Sequence, residues 1–259
     1  MLKRMQLVDE AELDGWVTPD MLIRADCNKA MSFVPDRSVD AVVSDPPYAQ
    51  TANEWDSLLD LKWMWSQYKR VLKTNGVVVL TSKQPFTSKL VRSNLDWFKY
   101  EWIWEKENST GHLNVSRMPL GVHENILFFC EGASYYYPIM GRGRPYGGMK
   151  RKDTTTNYGA QRPVMQDNPG TRYPNSILFF PRDPERLHPT QKPAALFEYL
   201  IRTYTKEGDI VLDNTAGVMT TAVAAVRCNR HYICIEQSKE YFDIGVKRVE
   251  QEEMKIRML

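Results

Sequence analysis

Short apolar runs rich in β-branched and aromatic residues alternate along this chain with amphipathic stretches of helical period. The runs are Met21–Arg24, Val39–Val43, Val77–Leu80, Tyr100–Trp104, Asn125–Phe129, Ile210–Leu212 and Tyr232–Ile235. Their composition is that of strands covered on both faces. Between them Leu58–Leu72, Phe86–Leu95, Ala194–Thr205, Thr220–Arg227 and Lys239–Glu250 read as helices. Strand and helix in alternation predict βαβ units and a mostly parallel sheet. Neither end of the chain has enough strands to close a core alone, so both ends belong to one sheet. A length of 259 residues suits one α/β domain with an insertion.

One stretch breaks the pattern. From Ile139 to Asn175, seven basic residues (Arg142, Arg144, Lys150, Arg151, Lys152, Arg162 and Arg172) face two acids, Asp153 and Asp167. The same stretch holds six of the fourteen glycines and four prolines, without a periodic apolar pattern. That predicts a loop-rich insertion. A disordered linker has a similar composition, but the tyrosines and arginines point to a surface that orders on a polyanion. Elsewhere charge says little, since 34 lysines and arginines nearly cancel 32 aspartates and glutamates. No run of about 18 uncharged apolar residues exists, which excludes a spanning helix. Acids within Met1–Gly15, where an export signal needs an apolar stretch, predict a cytoplasmic chain. The cysteines (Cys27, Cys130, Cys228, Cys234) lack CxxC spacing and read as reduced, mostly buried thiols. With His112, His123, His188 and His231 they offer no ligand cluster, so no metal is expected.

Ligands of such sheets gather beyond the carboxyl ends of the strands, and two of those ends are unusual. The run Val39–Val43 passes through Ser44 into Asp45-Pro46-Pro47-Tyr48. Prolines fix φ and lack N–H groups, so their carbonyls can point rigidly at a ligand. The Asp45 carboxylate and a proline carbonyl offer two acceptors side by side, and Tyr48 offers a stacking face. An exocyclic amine on a flat heterocycle needs that combination, because two acceptors holding its hydrogens favour the pyramidal nitrogen that can attack. A plain strand-ending turn is the alternative. The second end is Ile210–Leu212 followed by Asp213-Asn214-Thr215-Ala216-Gly217-Val218-Met219-Thr220-Thr221, a strand, tight loop and helix start. Gly217 lets the backbone approach a ligand, and Glu236, after Tyr232–Ile235, is placed to accept both hydroxyls of a ribose. A three-glycine dinucleotide fingerprint is absent; loop and acid together point to a nucleoside cofactor.

These residues together resemble the amino-group DNA methyltransferases that use S-adenosylmethionine. Asp45-Pro46-Pro47-Tyr48 matches the catalytic motif and Asp213 to Thr221 the cofactor loop. The order of catalytic motif, insertion and cofactor loop is that of the β subgroup. Further matches are Asp26-Cys27, Pro35-Asp36-Arg37-Ser38-Val39-Asp40 and His188-Pro189-Thr190-Gln191-Lys192-Pro193, so the resemblance runs from about Leu22 to Lys247. The cofactor loop departs from the usual Asp-Pro-Phe-x-Gly-Ser-Gly-Thr-Thr. Asn214 and Thr215 replace Pro and Phe, and Val218 and Met219 replace Ser and the second Gly.

The resemblance implies a circularly permuted, seven-stranded, Rossmann-like methyltransferase sheet, mostly parallel. Residues 1–130 would form its catalytic half, 131–187 a target-recognition insertion and 188–259 its cofactor-binding half. The implied reaction moves a methyl group from S-adenosylmethionine to N6 of an adenine flipped out of double-stranded DNA. Asp rather than Ser at the head of Pro-Pro-Tyr favours adenine N6 over cytosine N4. Tyr48 would stack on the base, while Asp45 and the Pro46 carbonyl, followed by Pro47, accept its amino hydrogens. Glu236 would hold the ribose, with Asp26 and Cys27 near the cofactor's adenine. Asp213, Gly217, Thr190 and Lys192 would surround the methionine end, Lys192 facing its carboxylate. Asp45, Asn214, Thr215, Thr220 and Thr221 complete the cofactor set, and the seven basic insertion residues would meet phosphates. Trp55 and Asp56 belong to a loop over the flipped base or to a surface turn; Trp63, Trp65, Trp102 and Trp104 read as core. The resemblance also brings in a homodimer and a companion restriction endonuclease. Its alternatives are an N4-cytosine enzyme, an RNA adenine methyltransferase and a non-catalytic DNA-binding module.

Overall fold

The computed structural model describes residues 5–48, 59–150, 154–155, 159–160 and 165–258. Trp55, Asp56, Arg151, Lys152 and Arg162 lie outside the described residues. The chain divides into two units, Met1–Tyr137 with Ser176–Leu259, and Pro138–Asn175.

In the first unit the strands are β1 (Gln6–Asp9), β2 (Met21–Arg24), β3 (Val39–Ser44), β4 (Leu72–Ser82), β5 (Phe98–Thr110), β6 (Gly121–Cys130), β7 (Ile177–Phe180), β8 (Ile210–Asp213) and β9 (His231–Glu236). They form one nine-stranded sheet in the order β1-β2-β9-β8-β3-β4-β6-β5-β7. Every neighbouring pair is parallel except those of β6, which runs antiparallel to β4 and β5. The seven expected strands form the interior, and β1 and β7 extend it at the two edges. Both are four residues long with exposed positions, so neither has the continuous apolar pattern that marks a covered strand. Because Ile177–Phe180 pairs with β5, the sequence from Ser176 onward belongs with the sheet, and the second unit is narrower than the span 131–187.

The helices are α1 (Cys27–Ala30), α2 (Leu61–Val71), α3 (Phe86–Ser93), α4 (Ala194–Tyr204), α5 (Thr220–Arg227) and α6 (Lys239–Arg257). Successive strand side chains point to opposite faces, which sorts the central strands into two cores. Leu22, Ala41, Val43, Val77 and Val79 pack with α4, α5 and α6; Ile23, Val42, Val78 and Leu80 pack with α1, α2 and α3. The stretch ending at Glu250 by pattern continues to Arg257, where Glu252 pairs with Arg227 and Glu253 accepts from Tyr232. Trp65, Trp102 and Trp104 are buried and Trp63 is partly buried, as core residues should be. All four cysteines are buried thiols. No described helix is long and apolar enough to cross a membrane.

The second unit holds short antiparallel pairs nested along one path: Gly141–Arg142 with Thr171–Arg172, Tyr146–Lys150 with Met165–Asn168, and Thr154–Thr155 with Gly159–Ala160. Backbone pairing needs no apolar periodicity when both faces of a ribbon are solvated, so the composition showed only loops. The Arg172 guanidinium lies over the Tyr146 ring at 4.9 Å and donates to the Arg144 carbonyl. Arg142 and Arg144 are exposed.

Candidate active site

Strands β3 and β8 lie side by side in parallel register, Val211 opposite Ala41 and Leu212 opposite Val42. Their carboxyl ends therefore bring the two sequence motifs together. Ser44 Oγ donates to Asp213 Oδ1 at 2.8 Å and lies 2.8 Å from Thr215 Oγ1, which donates to the Asp45 carbonyl at 3.3 Å. Thr221 at the start of α5 donates to Asp213 Oδ2 at 2.5 Å. Asp213 thus fastens the loop to the catalytic strand. Burial pushes its carboxyl up to about 6, against hydrogen bonds from Thr221, Ser44 and the Thr215 N–H that pull it down.

A cavity of about 570 Å³ opens over these ends. Asp45, Pro46, Pro47, Tyr48, Asp26, Cys27, Thr190, Lys192, Asp213, Asn214, Thr215, Gly217, Thr220 and Glu236 all line it. Thr221 is the exception among the expected site residues of the sheet unit, sitting fully buried behind the loop. Gly217 is left-handed at φ 52°, and a Cβ there would meet nothing within 4 Å. Backbone conformation, rather than crowding, asks for glycine.

At the catalytic end, Tyr48 is pinned. Its hydroxyl donates to Asp45 Oδ1 at 2.8 Å, and its ring stacks on Phe86 at 5.4 Å. Burial raises its phenol well above the ordinary value, so it stays protonated, and its hydroxyl also lies 3.0 Å from Thr81 Oγ1. Thr81 donates to the same oxygen. Lys192 Nζ donates to Asp45 Oδ2 at 2.8 Å and lies 3.2 Å from Glu124 Oε2. Burial alone would lower the Lys192 ammonium; Asp45 and Glu124 outweigh it and hold it at about 12. The expected partner of Lys192 was a cofactor carboxylate, whereas the structure seats it on two carboxylates of the chain itself.

At the opposite end Glu236 is half spent on the backbone, accepting from Gly217 N at 2.8 Å and Ser238 N at 2.7 Å. Each of its oxygens keeps a lone pair for a diol. Burial raises its carboxyl. Asp26 caps α1 through Asn28 N, and burial pushes the Cys27 thiol up to about 11, leaving it a neutral lining group. Asn214 Oδ1 accepts from Tyr68 at 2.7 Å, while its buried Nδ2 has no well-formed hydrogen bond among the described residues.

Glu124, Lys106, Thr81, Ser44 and Tyr68 were not singled out by sequence. The signal available was polarity inside apolar strands: Lys106 is a buried charge on β5 and Glu124 a partly buried one on β6. The altered loop is also accounted for. Met219 takes the left-handed conformation (φ 60°) usual for the glycine it replaces, and its buried side chain occupies space left open by Gly245 of α6.

The family model N6_N4_Mtase, described as DNA methylase, matches residues 39–247. The chain belongs to the N6/N4 DNA methylase family. Among curated relatives, the DNA adenine methyltransferase YhdJ of Escherichia coli (strain K12) is 29% identical over 88% of this chain and 82% of its own. The type II methyltransferase M.HinfI of Haemophilus influenzae is 26% identical over 89% of this chain and 68% of its own. Among solved structures, the M1.HpyAVI–SAM complex superposes with a TM-score of 0.60 at 25% identity, covering 88% of this chain and 98% of that one. The PvuII cytosine-N4-specific DNA methyltransferase shares the fold, with a TM-score of 0.62 at 17% identity over 91% of each chain.

The methylase's cofactor is S-adenosylmethionine, and the donor set fits it. An acid stands ready for a diol at Glu236, the Asn214 amide has no well-formed hydrogen bond among the described residues, and the backbone at Gly217 is open.

Proposed function

We propose that this DNA methylase transfers the methyl group to N6 of an adenine flipped out of the duplex, in the cytoplasm. The observation that carries the proposal is the junction of the two motifs: Thr215 of the cofactor loop is hydrogen-bonded to the backbone of Asp45, the head of the catalytic motif. Aspartate at that position and the name of the Escherichia coli relative support adenine.

When bound, S-adenosylmethionine supplies a methyl group on a positively charged sulfur, a good leaving group. The chain's work is therefore positioning and polarisation. Asp45 Oδ2 and the Pro46 carbonyl accept the two amino hydrogens, which localises the nitrogen lone pair toward the methyl carbon. Once that nitrogen carries the methyl group it sheds one proton, and Asp45 is the acceptor in contact. Tyr48, held by Phe86 and Asp45, offers its ring to the base. The second unit supports duplex recognition, since a two-stranded ribbon fits the major groove and its exposed arginines suit phosphates. Glu236, with Asp26 and Cys27, takes the adenosine end; Thr190, Asn214 and Thr220 border the methionine end.

The test is methylation of unmethylated genomic DNA with an isotope-labelled methyl donor, followed by digestion and mass spectrometry of the nucleosides. Label in N6-methyldeoxyadenosine, lost with Asp45→Ala, is expected. Label in N4-methyldeoxycytidine would overturn the choice of base; label in RNA alone would overturn the choice of nucleic acid. The proposal extends to a homodimer, checked by sedimentation, and to a companion restriction endonuclease, checked by protection of methylated DNA from cleavage in host extract.

A further inference from the structure

Asp45 cannot meet a target amine through Oδ1 alone, because the Tyr48 and Thr81 hydroxyls both donate to that oxygen. Oδ2 remains, and Lys192 Nζ already sits on it at 2.8 Å. The same ammonium lies 3.2 Å from Glu124 Oε2, a buried oxygen with no well-formed hydrogen bond of its own. Glu124 Oε1 is fixed by Lys106 at 3.2 Å. The Lys192 and Lys106 side chains are 6% and 3% exposed, so both ammonium groups depend chiefly on these carboxylates. An unpaired buried charge is costly, and this chain of Asp45, Lys192, Glu124 and Lys106 leaves none unpaired.

We propose that Lys192 is a displaceable stand-in for the target amine and that Glu124 is the seat to which its ammonium withdraws. Before the base arrives, Lys192 holds the Asp45 carboxylate in the orientation the amine needs. As the base N–H takes Oδ2, Lys192 shifts its hydrogen bond to Glu124 Oε2, and Lys106 keeps Glu124 in place. Lys192 only changes partner within the site, so a neutral amine enters without a net change of buried charge. Lys192 and Glu124 are positioning residues that act through Asp45. The inference rests on the reading of Asp45 as the acceptor of the target amine.

The experiment compares Lys192→Met, Lys192→Arg, Glu124→Gln and the Lys192→Met/Glu124→Gln double variant. S-Adenosylmethionine affinity is read by calorimetry, without turnover. Single-turnover methylation of unmethylated genomic DNA is read at saturating cofactor and DNA. Lys192→Met should leave the cofactor Kd within about twofold and slow transfer by about 100-fold. Glu124→Gln should slow transfer about tenfold at unchanged Kd, because the ammonium keeps only the seat that the amine needs. The double variant should be no slower than Lys192→Met, since Glu124 acts through Lys192. Lys192→Arg, still able to span two carboxylates, should recover most of the rate. A Kd weakened tenfold or more in Lys192→Met would overturn the proposal and seat Lys192 on the cofactor carboxylate; so would effects that multiply in the double variant. Should thermal melts show Lys192→Met unfolded, Lys192→Arg and Glu124→Gln decide the matter through the same split of Kd from rate. Wild-type label outside N6-methyladenine would instead fail the proposed function, and the turnover-free Kd measurements keep the two failures apart.

Discussion

Replacing Gly245 with alanine tests how this methylase tolerates its unusual cofactor loop. A Cβ built at Gly245 would overlap Met219 Cγ and lie 3.0 Å from Met219 Cβ and 3.1 Å from the Val218 carbonyl carbon. Met219 is fully buried and part of the α4–α6 core, so it has no open side to retreat to. Forcing a methyl group into a filled site costs about 1–3 kcal/mol. Alanine returns about 0.8–1 kcal/mol of helix propensity relative to glycine. The balance is a loss of about 0–2 kcal/mol, or a Tm lower by up to roughly 4–8 °C. Because the overlap bears on Val218 and Met219, S-adenosylmethionine binding should weaken severalfold as well. Met219→Gly alone should cost about 2–4 kcal/mol, as deletion of a buried Met side chain does, offset by about 1 kcal/mol from releasing the left-handed backbone. Combined, the two substitutions remove the overlap and partly refill the cavity, so they should fall short of additivity by about 1–2 kcal/mol. Urea denaturation of the four proteins, with calorimetry of cofactor binding, measures this. Gly245→Ala more stable than the wild type by the full helix-propensity gain, or strict additivity in the double variant, would refute the idea that Gly245 makes room for Met219.

Other outcomes follow from the site and from the ribbon. Asp213 has a folded-state value near 6 against an ordinary 3.8, so the folded protein binds that proton more tightly than the unfolded chain. Its contribution to stability is therefore greatest below about pH 4 and is lost as pH rises through about 6. From pH 4.5 to 7 the wild type should lose about 2 kcal/mol relative to Asp213→Asn in urea melts; a pH-independent difference would refute the assignment. For the ribbon, Arg142→Ala/Arg144→Ala should weaken DNA binding and reduce the slope of log affinity against log salt by about 2. Arg172→Ala should instead loosen the Tyr146–Arg172 contact, measurable as faster amide exchange at Tyr146 and Gly147; an unchanged salt slope in the double variant would remove Arg142 and Arg144 from the interface.

Much of this was legible because the sheet interior is written in apolar runs, and runs such as Met21–Arg24 and Ile210–Leu212 mark covered strands whatever their neighbours. The edges were not. Gln6–Asp9 and Ile177–Phe180 are each covered on one flank only, and a four-residue run with exposed positions looks like a loop. The ribbon of the second unit escaped for a related reason, its pairing being carried by backbone groups that every residue type supplies. Legibility at the site followed chain continuity. Asp45 to Tyr48 and Asp213 to Thr221 announce themselves because each motif is one unbroken segment, and those motif residues, apart from Met219 and Thr221, line the cavity together.

What sequence could not supply was the choice of partner across the sheet. Ser44 and Asp213 are 169 residues apart and touch because β3 and β8 are neighbours, an adjacency that follows from the sheet order. Lys192 illustrates the same limit. It sits in a recognisable hexapeptide, yet its ammonium is fixed by Asp45 from one strand and Glu124 from another. A lysine with a single carboxylate partner could leave it only by becoming an unpaired buried charge, whereas a lysine between two can change partner at small cost. The reversed strand β6 makes that possible. Running antiparallel to β4 with Ser82 opposite Asn125, it brings Glu124, near its own amino end, to the carboxyl end of its neighbour, the rim on which Asp45 and Asp213 also lie. Had β6 run parallel like the other strands, Glu124 would fall at the opposite edge of the sheet and Lys192 would have Asp45 alone.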